Sequence, residues 1–231
     1  MKKFKNFINL KGLFLAIIIF LLFYFSSLIQ LIPIKLFNLN IKNLTEVQNV
    51  ILSTFSNIVL LVILLLIFRK DIIKEWKKFK TKFLENIDIG IKYWLVGLAI
   101  MMISNMIITF VINLGQAANE QAVQQMISAQ PWLMLINAGI IAPCIEELIF
   151  RKSFKKALPN KWLFVIMSAL IFGSLHVLPS MTSPLELLYI IPYGSLGGAF
   201  AYIYEKTDTV FTSITMHMLH NTALVLLSIL A

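Results

Sequence analysis

The sequence predicts an all-α, polytopic membrane protein: a bundle of about seven transmembrane helices with a cytoplasmic N-terminus. Of its 231 residues, 59% are hydrophobic and 13% are charged, whereas soluble domains contain about 45–50% and about 25%. The apolar residues form continuous runs that match the roughly 20 residues needed to cross a bilayer. Lysine and arginine are unevenly distributed along the chain. These observations exclude a soluble globular enzyme, a disordered tail and a nucleic-acid-binding domain, despite a net charge of +9.

Seven segments are long and apolar enough to be predicted as spans. They cover approximately residues 12–33, 47–68, 89–114, 131 to beyond 150, 161–177, 184–204 and 209–230. Strands are not expected, because the apolar runs do not alternate and an unclosed sheet in lipid would leave backbone groups unpaired. We interpret the first segment as a retained anchor and the polar stretch 116–130 as an external loop. The basic stretch 69–82 is interpreted as a solvated loop or a short surface helix.

The basic residues predict the orientation. Four lysines precede the first span (Lys2, Lys3, Lys5 and Lys11), seven basic residues lie in 69–82, five lie in 151–161, and Lys206 lies between the last two spans. The opposite loops hold only Lys35 and Lys42. By the positive-inside rule the N-terminus is cytoplasmic and the C-terminus external. The positive charge is also suited to contact with an anionic lipid leaflet.

Ionisable and amide side chains at membrane depth occur late in the chain. Such groups cost about 2.5–3.5 kcal/mol each on insertion scales, and they are therefore functional candidates. They are Glu146, Glu147 and Arg151 in the fourth span, His176 in the fifth, and His217, His220 and Asn221 in the seventh. We therefore treat 1–231 as one membrane domain, with scaffold helices in 12–114 and a catalytic core in 131–231.

Helical spacing assigns different tasks to the two adjacent glutamates. Glu147 and Arg151 are four residues apart and can pair, whereas Glu146 is turned by about 100° and keeps its carboxylate free. Pro143 cannot donate a hydrogen bond to the carbonyl of Gly139, so the helix is expected to kink just before Glu146.

The chemistry that these side chains suit is hydrolysis of an acyl bond by water. A carboxylate in a low-dielectric pocket is a stronger base than one in water, so Glu146 is the candidate general base. His176, which shares a helix face with Phe172, would orient the water. His217 and Asn221, four residues apart, would donate hydrogen bonds to the oxyanion of the intermediate.

Simpler interpretations stand beside these. The Glu147–Arg151 pair can be purely structural, and an isolated histidine in a membrane often only bonds neighbouring helices. His220 is either a metal ligand or a polar residue near the surface, and we favour the second. Cys144 is expected to be an inert core residue, because a thiol in apolar surroundings stays protonated.

The same residues resemble three motifs of the CPBP family, also called the Abi or CAAX-protease-like family. Glu146-Glu147-Leu-Ile-Phe-Arg151 is similar to its EExxxR motif, Phe172-Gly-Ser-Leu-His176 to its FxxxH motif, and His217-Met-Leu-His-Asn221 to its HxxxN motif. The resemblance covers about 139–223. It implies an all-helical intramembrane endopeptidase whose site opens towards the cytoplasm. Glu146, His176, His217 and Asn221 fall on its catalytic positions, and Glu147, Arg151 and Phe172 on supporting motif positions. Lys152 departs from the pattern, because many members have a small residue there.

The resemblance also implies a substrate class. Bacterial members are similar to proteins implicated in maturing bacteriocins or peptide pheromones, or in self-immunity. The Lys-, Asn- and Ile-rich composition is typical of an AT-rich bacterial genome, where prenylated substrates are not expected. A short membrane-associated peptide or a membrane protein is therefore the expected substrate, and the bacterial plasma membrane the expected location.

The metal requirement and the function class stay open at this point. A divalent metal such as zinc would find three ligands in Glu146, His176 and His217, but asparagine is a poor zinc ligand and we favour a metal-free mechanism. One alternative function is a non-catalytic immunity or regulatory protein that binds a peptide or a sensor kinase. Another is a small transporter, which the lack of an inverted repeat disfavours.

Overall fold

The computed structural model describes residues 7–230, which are helical apart from short connections. The helices are α1 (Leu10–Tyr24), α2 (Leu31–Leu36), α3 (Glu46–Thr81), α4 (Phe83–Phe110), α5 (Ala118–Ala129), α6 (Pro131–Ala157), α7 (Lys161–Val177), α8 (Ile190–Thr207) and α9 (Val210–Leu230). Short 3-10 segments cover Ser26–Gln30, Ile41–Asn43 and Pro184–Tyr189. Because no strand occurs within residues 7–230, the predicted all-α class is confirmed.

The helices include several of membrane-spanning length. Five are long and apolar enough to cross a bilayer, and α1 with α2 makes a sixth if that bent pair is one span. Helix α7, with 17 residues, is apolar but shorter. The chain is a multi-pass membrane protein, whereas seven spans and a cytoplasmic N-terminus stay predictions. Lys2, Lys3 and Lys5, which contribute to the predicted orientation, lie outside the described residues.

The first predicted span is broken rather than straight. The chain bends by 45° between α1 and the segment Ser26–Leu36. A break in a helix leaves backbone carbonyls without their usual donors. Ser56 of α3 supplies one, because its hydroxyl donates to the carbonyl of Ser26 at 2.6 Å.

The interpretation of residues 116–130 as a loop is wrong, since they contain α5. Its polar composition hides an apolar face made by Val123, Met126 and Ile127, which are spaced three and four residues apart and point the same way. This face packs in a small apolar cluster with Val50, Met134 and Val225. The segment is therefore a helix attached to the bundle.

The basic stretch 69–82 is neither a loop nor a separate surface helix, because α3 continues through it to Thr81. Within it, Glu75 is only 7% exposed. Its carboxylate pairs with the ammonium of Lys152 and accepts the backbone N–H of Val210 at 2.8 Å. A buried carboxylate needs such partners. Lys152, the residue that departs from the motif, thus joins α6 to α3.

Helices α7 and α8 cross at very short range. A Cβ atom added to Gly173 would lie 2.7 Å from the carbonyl oxygen of Ile190. A glycine is therefore needed where the two backbones meet. This crossing holds Phe172, which is part of the main apolar core, and His176 against α8.

Candidate active site

Helix α6 is wound loosely on both sides of the acidic pair. Residues Asn137–Ile141 and Leu148–Ser153 are π-helical. The N–H of Ala142 bonds to the carbonyl of Asn137, five residues back. Pro143 has no N–H to offer, so the carbonyl of Ala138 lacks a donor within its own helix. The predicted irregularity before Glu146 therefore takes the form of a wide π turn, a feature common at functional sites.

Helix α9 supplies the missing donors. Asn221 donates an amide N–H to the carbonyl of Ala138 at 3.1 Å, and the hydroxyl of Thr222 donates to the carbonyl of Gly139 at 3.2 Å. A Cβ atom on Gly139 would lie 2.9 Å from the Thr222 hydroxyl. The glycine therefore permits the close approach, and two consecutive bonds set the register of α9 against α6.

Glu147 and Arg151 form the predicted ion pair, with Nη2 of Arg151 3.1 Å from Oε1 of Glu147. Both side chains are completely buried. The guanidinium also lies over two aromatic rings, 4.9 Å from the centroid of Phe172 and 5.7 Å from that of Phe200. Nδ1 of His217 lies 3.0 Å from the same Glu147 oxygen, so this carboxylate bonds an imidazole as well as the arginine.

His217 lies between the two glutamates. Its Nδ1 faces Glu147, and its Nε2 lies 3.7 Å from Oε2 of Glu146. That Glu146 oxygen is buried and has no hydrogen-bond partner within residues 7–230. Two carboxylates thus face one guanidinium and one imidazole in this buried cluster.

The ring of His176 is fixed in one orientation. Its Nδ1 lies 2.8 Å from the carbonyl oxygen of Phe172. A carbonyl only accepts, so Nδ1 carries the hydrogen and Nε2 is left as an acceptor. The imidazole also contacts the rings of Phe172 and Tyr193, at centroid distances of 4.3 and 4.9 Å. Tyr193 is a contact that no sequence signal indicated.

A cavity of about 520 Å³ brings the candidate residues together, and Glu146, His176, His217 and Asn221 all line it. Its volume is typical of a small-molecule or cofactor site. The four side chains come from three helices, α6, α7 and α9. The geometry therefore allows a water molecule and part of a substrate to meet a carboxylate, two imidazoles and an amide.

His220 also lines this cavity and is only 6% exposed. The interpretation of His220 as a near-surface residue is therefore wrong. The signal was its three-residue spacing from His217, which places both side chains on one helix face. Its ring faces the indole of Trp94, with centroids 6.4 Å apart.

The arrangement does not fit a metal. Within residues 7–230, no group of three His, Cys, Asp or Glu side chains could hold one. The Phe172 ring contacts both imidazoles, 4.3 Å from His176 and 5.9 Å from His217. Glu146, His176 and His217 therefore do not form the three-ligand set of a catalytic zinc site, and the chemistry below is derived from the side chains alone.

Sequence comparison places the chain among known proteins. The profile described as "Type II CAAX prenyl endopeptidase Rce1-like" matches residues 128–223, which include all three motifs. Over 188 residues the chain is 30% identical to the "Putative membrane peptidase YdiL" of Bacillus subtilis (strain 168), covering 77% of this chain and 71% of that protein. The chain belongs to the CAAX prenyl endopeptidase-like (CPBP) family. The profile and the printed name of YdiL indicate a membrane peptidase, and hence a hydrolase.

Other relatives of this CPBP protein have names without an activity. An uncharacterized protein of Mycoplasma capricolum is 28% identical over 214 residues, which span 85% of this chain and 60% of that one. The "UPF0177 protein YxdF" of Lactococcus lactis is 25% identical over 162 residues, or 67% of this chain and 85% of that one. No solved structure matches the chain.

Proposed function

We propose that the protein is an intramembrane endopeptidase that hydrolyses a peptide bond with water activated by Glu146 and His176. One observation carries the proposal. The buried, unpartnered Oε2 of Glu146 lies 3.7 Å from Nε2 of His217, at a cavity that both residues line. A base and a group that can carry a proton thus adjoin a space for substrate. In this proposal residues 131–231 carry the chemistry and residues 12–114 support it.

The attacking water would lie between the carboxylate of Glu146 and Nε2 of His176, which accepts one of its hydrogen bonds. Glu146 takes a proton from the water while the water oxygen bonds to the carbonyl carbon of the substrate. The carbon–nitrogen bond then breaks, and Glu146 returns the proton to the leaving nitrogen. The products are a carboxylic acid and an amine, so the single water molecule is fully accounted for.

His217 and Asn221 would stabilise the negative charge on the substrate oxygen. Nδ1 of His217 lies 3.0 Å from Glu147, and in this proposal the ring carries a hydrogen on both nitrogens, so that Nε2–H donates to the substrate oxygen. Asn221 donates one amide N–H to the carbonyl of Ala138, and its second amide N–H can donate to the substrate oxygen. Removing one such donor typically costs about 10²–10³ in kcat. Arg151 acts indirectly, by holding Glu147.

The substrate class follows from the resemblance and the membrane setting. A short membrane-associated peptide, such as a pheromone or bacteriocin precursor, or a segment of a membrane protein would enter the cavity. The cavity of about 520 Å³ accommodates only a few residues around the cleaved bond.

The decisive experiment is the substitution Glu146→Gln, which keeps the shape of the side chain and removes the base. Purified protein in lipid vesicles is incubated with candidate peptides, and products are identified by mass spectrometry. We expect cleavage to be lost while thermal stability is retained. Glu85→Gln is the matched control, since Glu85 is an exposed carboxylate at the start of α4. Full cleavage by the Glu146 variant would refute the proposal. No cleavage by the parent protein, with an intact cellular phenotype in the variant, would favour a non-catalytic binding protein.

A further inference from the structure

The cavity extends from the candidate catalytic residues towards one end of the bundle. Both His217 and Ser228 of α9 line it, and eleven residues of α-helix span about 16 Å. Ser228 lies in the last turn of α9, which ends at Leu230. At this end the lining also includes Glu120 of α5 and Tyr189, which precedes α8. The cavity therefore reaches the face of the bundle formed by α5, the 184–189 segment and the end of α9.

The opposite end of the site is closed. Glu147, Arg151 and Ser213 are completely buried, and so is the ring of Phe200 beside the guanidinium. None of these but Phe200 lines the cavity. The buried ion pair and its aromatic neighbours thus block a path from His217 towards the start of α9.

The closed end is also the basic end. It carries the positively charged end of α3, the basic residues from Arg151 to Lys161 that end α6 and begin α7, and Lys206 at the end of α8. The face where the cavity emerges lies at the other end of these helices. Within residues 7–230, the basic residues near that end are Lys35 and Lys42. By the positive-inside rule the emerging cavity faces the outside. This differs from the cytoplasmic opening that the family resemblance implies.

In the described part of the chain, the cavity lining contains carboxylates but no lysine or arginine. Glu120 on α5 is exposed at the rim and Glu146 lies deeper. Among the lining side chains, Oε2 of Glu146 is buried without a hydrogen-bond partner within residues 7–230. A ligand that enters past α5 therefore meets the Glu120 carboxylate first and the unpaired Glu146 oxygen deeper in the cavity. A cation is attracted along this route and an anion is repelled.

We propose, on the basis of the peptidase function above, that the substrate enters from the outer face of the membrane and is an exported, positively charged peptide. Glu120 at the rim binds a lysine, an arginine or a terminal ammonium of this peptide. The adjoining α5 surface, with Asn119 and Gln124 in the lining, offers amide groups to its backbone.

Thiol labelling tests the direction of entry independently of catalysis. A Gln124→Cys variant at the rim is compared with Lys206→Cys at the basic end, both in a Cys144→Ala background. In spheroplasts, a membrane-impermeant maleimide should label the first variant and not the second, while inside-out vesicles should give the reverse. Labelling of Gln124→Cys only in inside-out vesicles would overturn the proposal. Because no cleavage is measured, this outcome is separate from a failure of the peptidase proposal.

Peptide selectivity tests the role of Glu120. Two peptides that differ only by lysine or glutamate near the cleaved bond are compared with the parent protein, Glu120→Gln and Glu120→Lys. An exposed ion pair contributes up to about 1 kcal/mol, so the parent should favour the lysine peptide by roughly two- to fivefold in kcat/KM. Glu120→Gln should abolish the preference and Glu120→Lys should reverse it. An unchanged preference in both variants would refute the role of Glu120. Equal cleavage by the Glu146→Gln variant would instead refute the catalytic assignment.

Discussion

Replacement of Arg151 by alanine tests the buried ion pair most directly. The guanidinium is the group that balances Glu147 at 3.1 Å, and neither side chain is exposed. Arg151→Ala leaves the Glu147 carboxylate fully buried beside His217 and Glu146, with no guanidinium to balance it. It also removes the cation from the rings of Phe172 and Phe200. We therefore expect a stability loss rather than a specific loss of catalysis.

The magnitude follows from the burial of both partners. Removing one partner of a buried ion pair costs about 3–5 kcal/mol. For a chain of this size each kcal/mol lowers Tm by about 2–4 °C, so the expected decrease is about 6–20 °C. By contrast, Lys82→Ala should shift Tm very little. Lys82 pairs with Glu85 at 3.1 Å, but the two side chains are 52% and 58% exposed, and such exposed pairs contribute about 0–1 kcal/mol.

Thermal unfolding in detergent, followed by tryptophan fluorescence, measures the decrease. The double variant Glu147→Gln with Arg151→Met removes both charges, keeps an oxygen for Nδ1 of His217 and should recover much of the lost stability. The reasoning is refuted if Arg151→Ala melts with the parent. It is also refuted if the double variant melts as low as the single one, because the stranded charge would then not be the cause.

The remaining predictions concern the helix contacts around the cavity and the metal. Asn221→Ala leaves the part-buried carbonyl of Ala138 without its donor, at a cost of about 1–3 kcal/mol, and should reduce kcat by about 10²–10³. Thr222→Val, at a residue that does not line the cavity, should lower Tm but keep cleavage. Equal kcat in the two variants would contradict this. Gly173→Ala should lower both Tm and activity, because the added Cβ would lie 2.7 Å from a backbone oxygen. Gly115→Ala should be neutral in the same assays, because a Cβ atom there has no neighbour within 4 Å. Cleavage should be unchanged by a chelator, and a loss that added zinc restores would show that a metal takes part.

The sequence predicted most of the fold because a membrane restricts the chain to helices of a characteristic length. It also identified four of the side chains that line the cavity. Glu146, His176, His217 and Asn221 are costly in lipid, so their presence in three late spans was informative. Helical spacing alone predicted the Glu147–Arg151 pair, which the structure contains. The catalytic roles assigned to these residues stay predictions.

Contacts between residues far apart in the chain could not be predicted. Glu75 looked like one more charge in a solvated basic stretch, and its partners Lys152 and Val210 are 77 and 135 residues away. Helix α5 was missed for a similar reason. Its apolar face is short, and the residues that cover it come from α3, α6 and α9. The burial of both segments depends on contacts with helices that are distant in the sequence.

The position of His217 shows how one local irregularity organises the whole site. The sequence alone did not show that an imidazole would lie between the two neighbouring glutamates, since on a regular helix they point about 100° apart. The π turn that ends at Ile141, and the missing N–H of Pro143, free the carbonyl that Asn221 then bonds. Because His217 lies one helical turn before Asn221, the same bond brings its imidazole to the height of both carboxylates, 3.0 Å from one and 3.7 Å from the other. The backbone hydrogen bond that α6 lacks at Ala138 is thus replaced by the bond from Asn221, which sets the register of α9. This register places Nδ1 of His217 against Glu147 and Nε2 against Glu146.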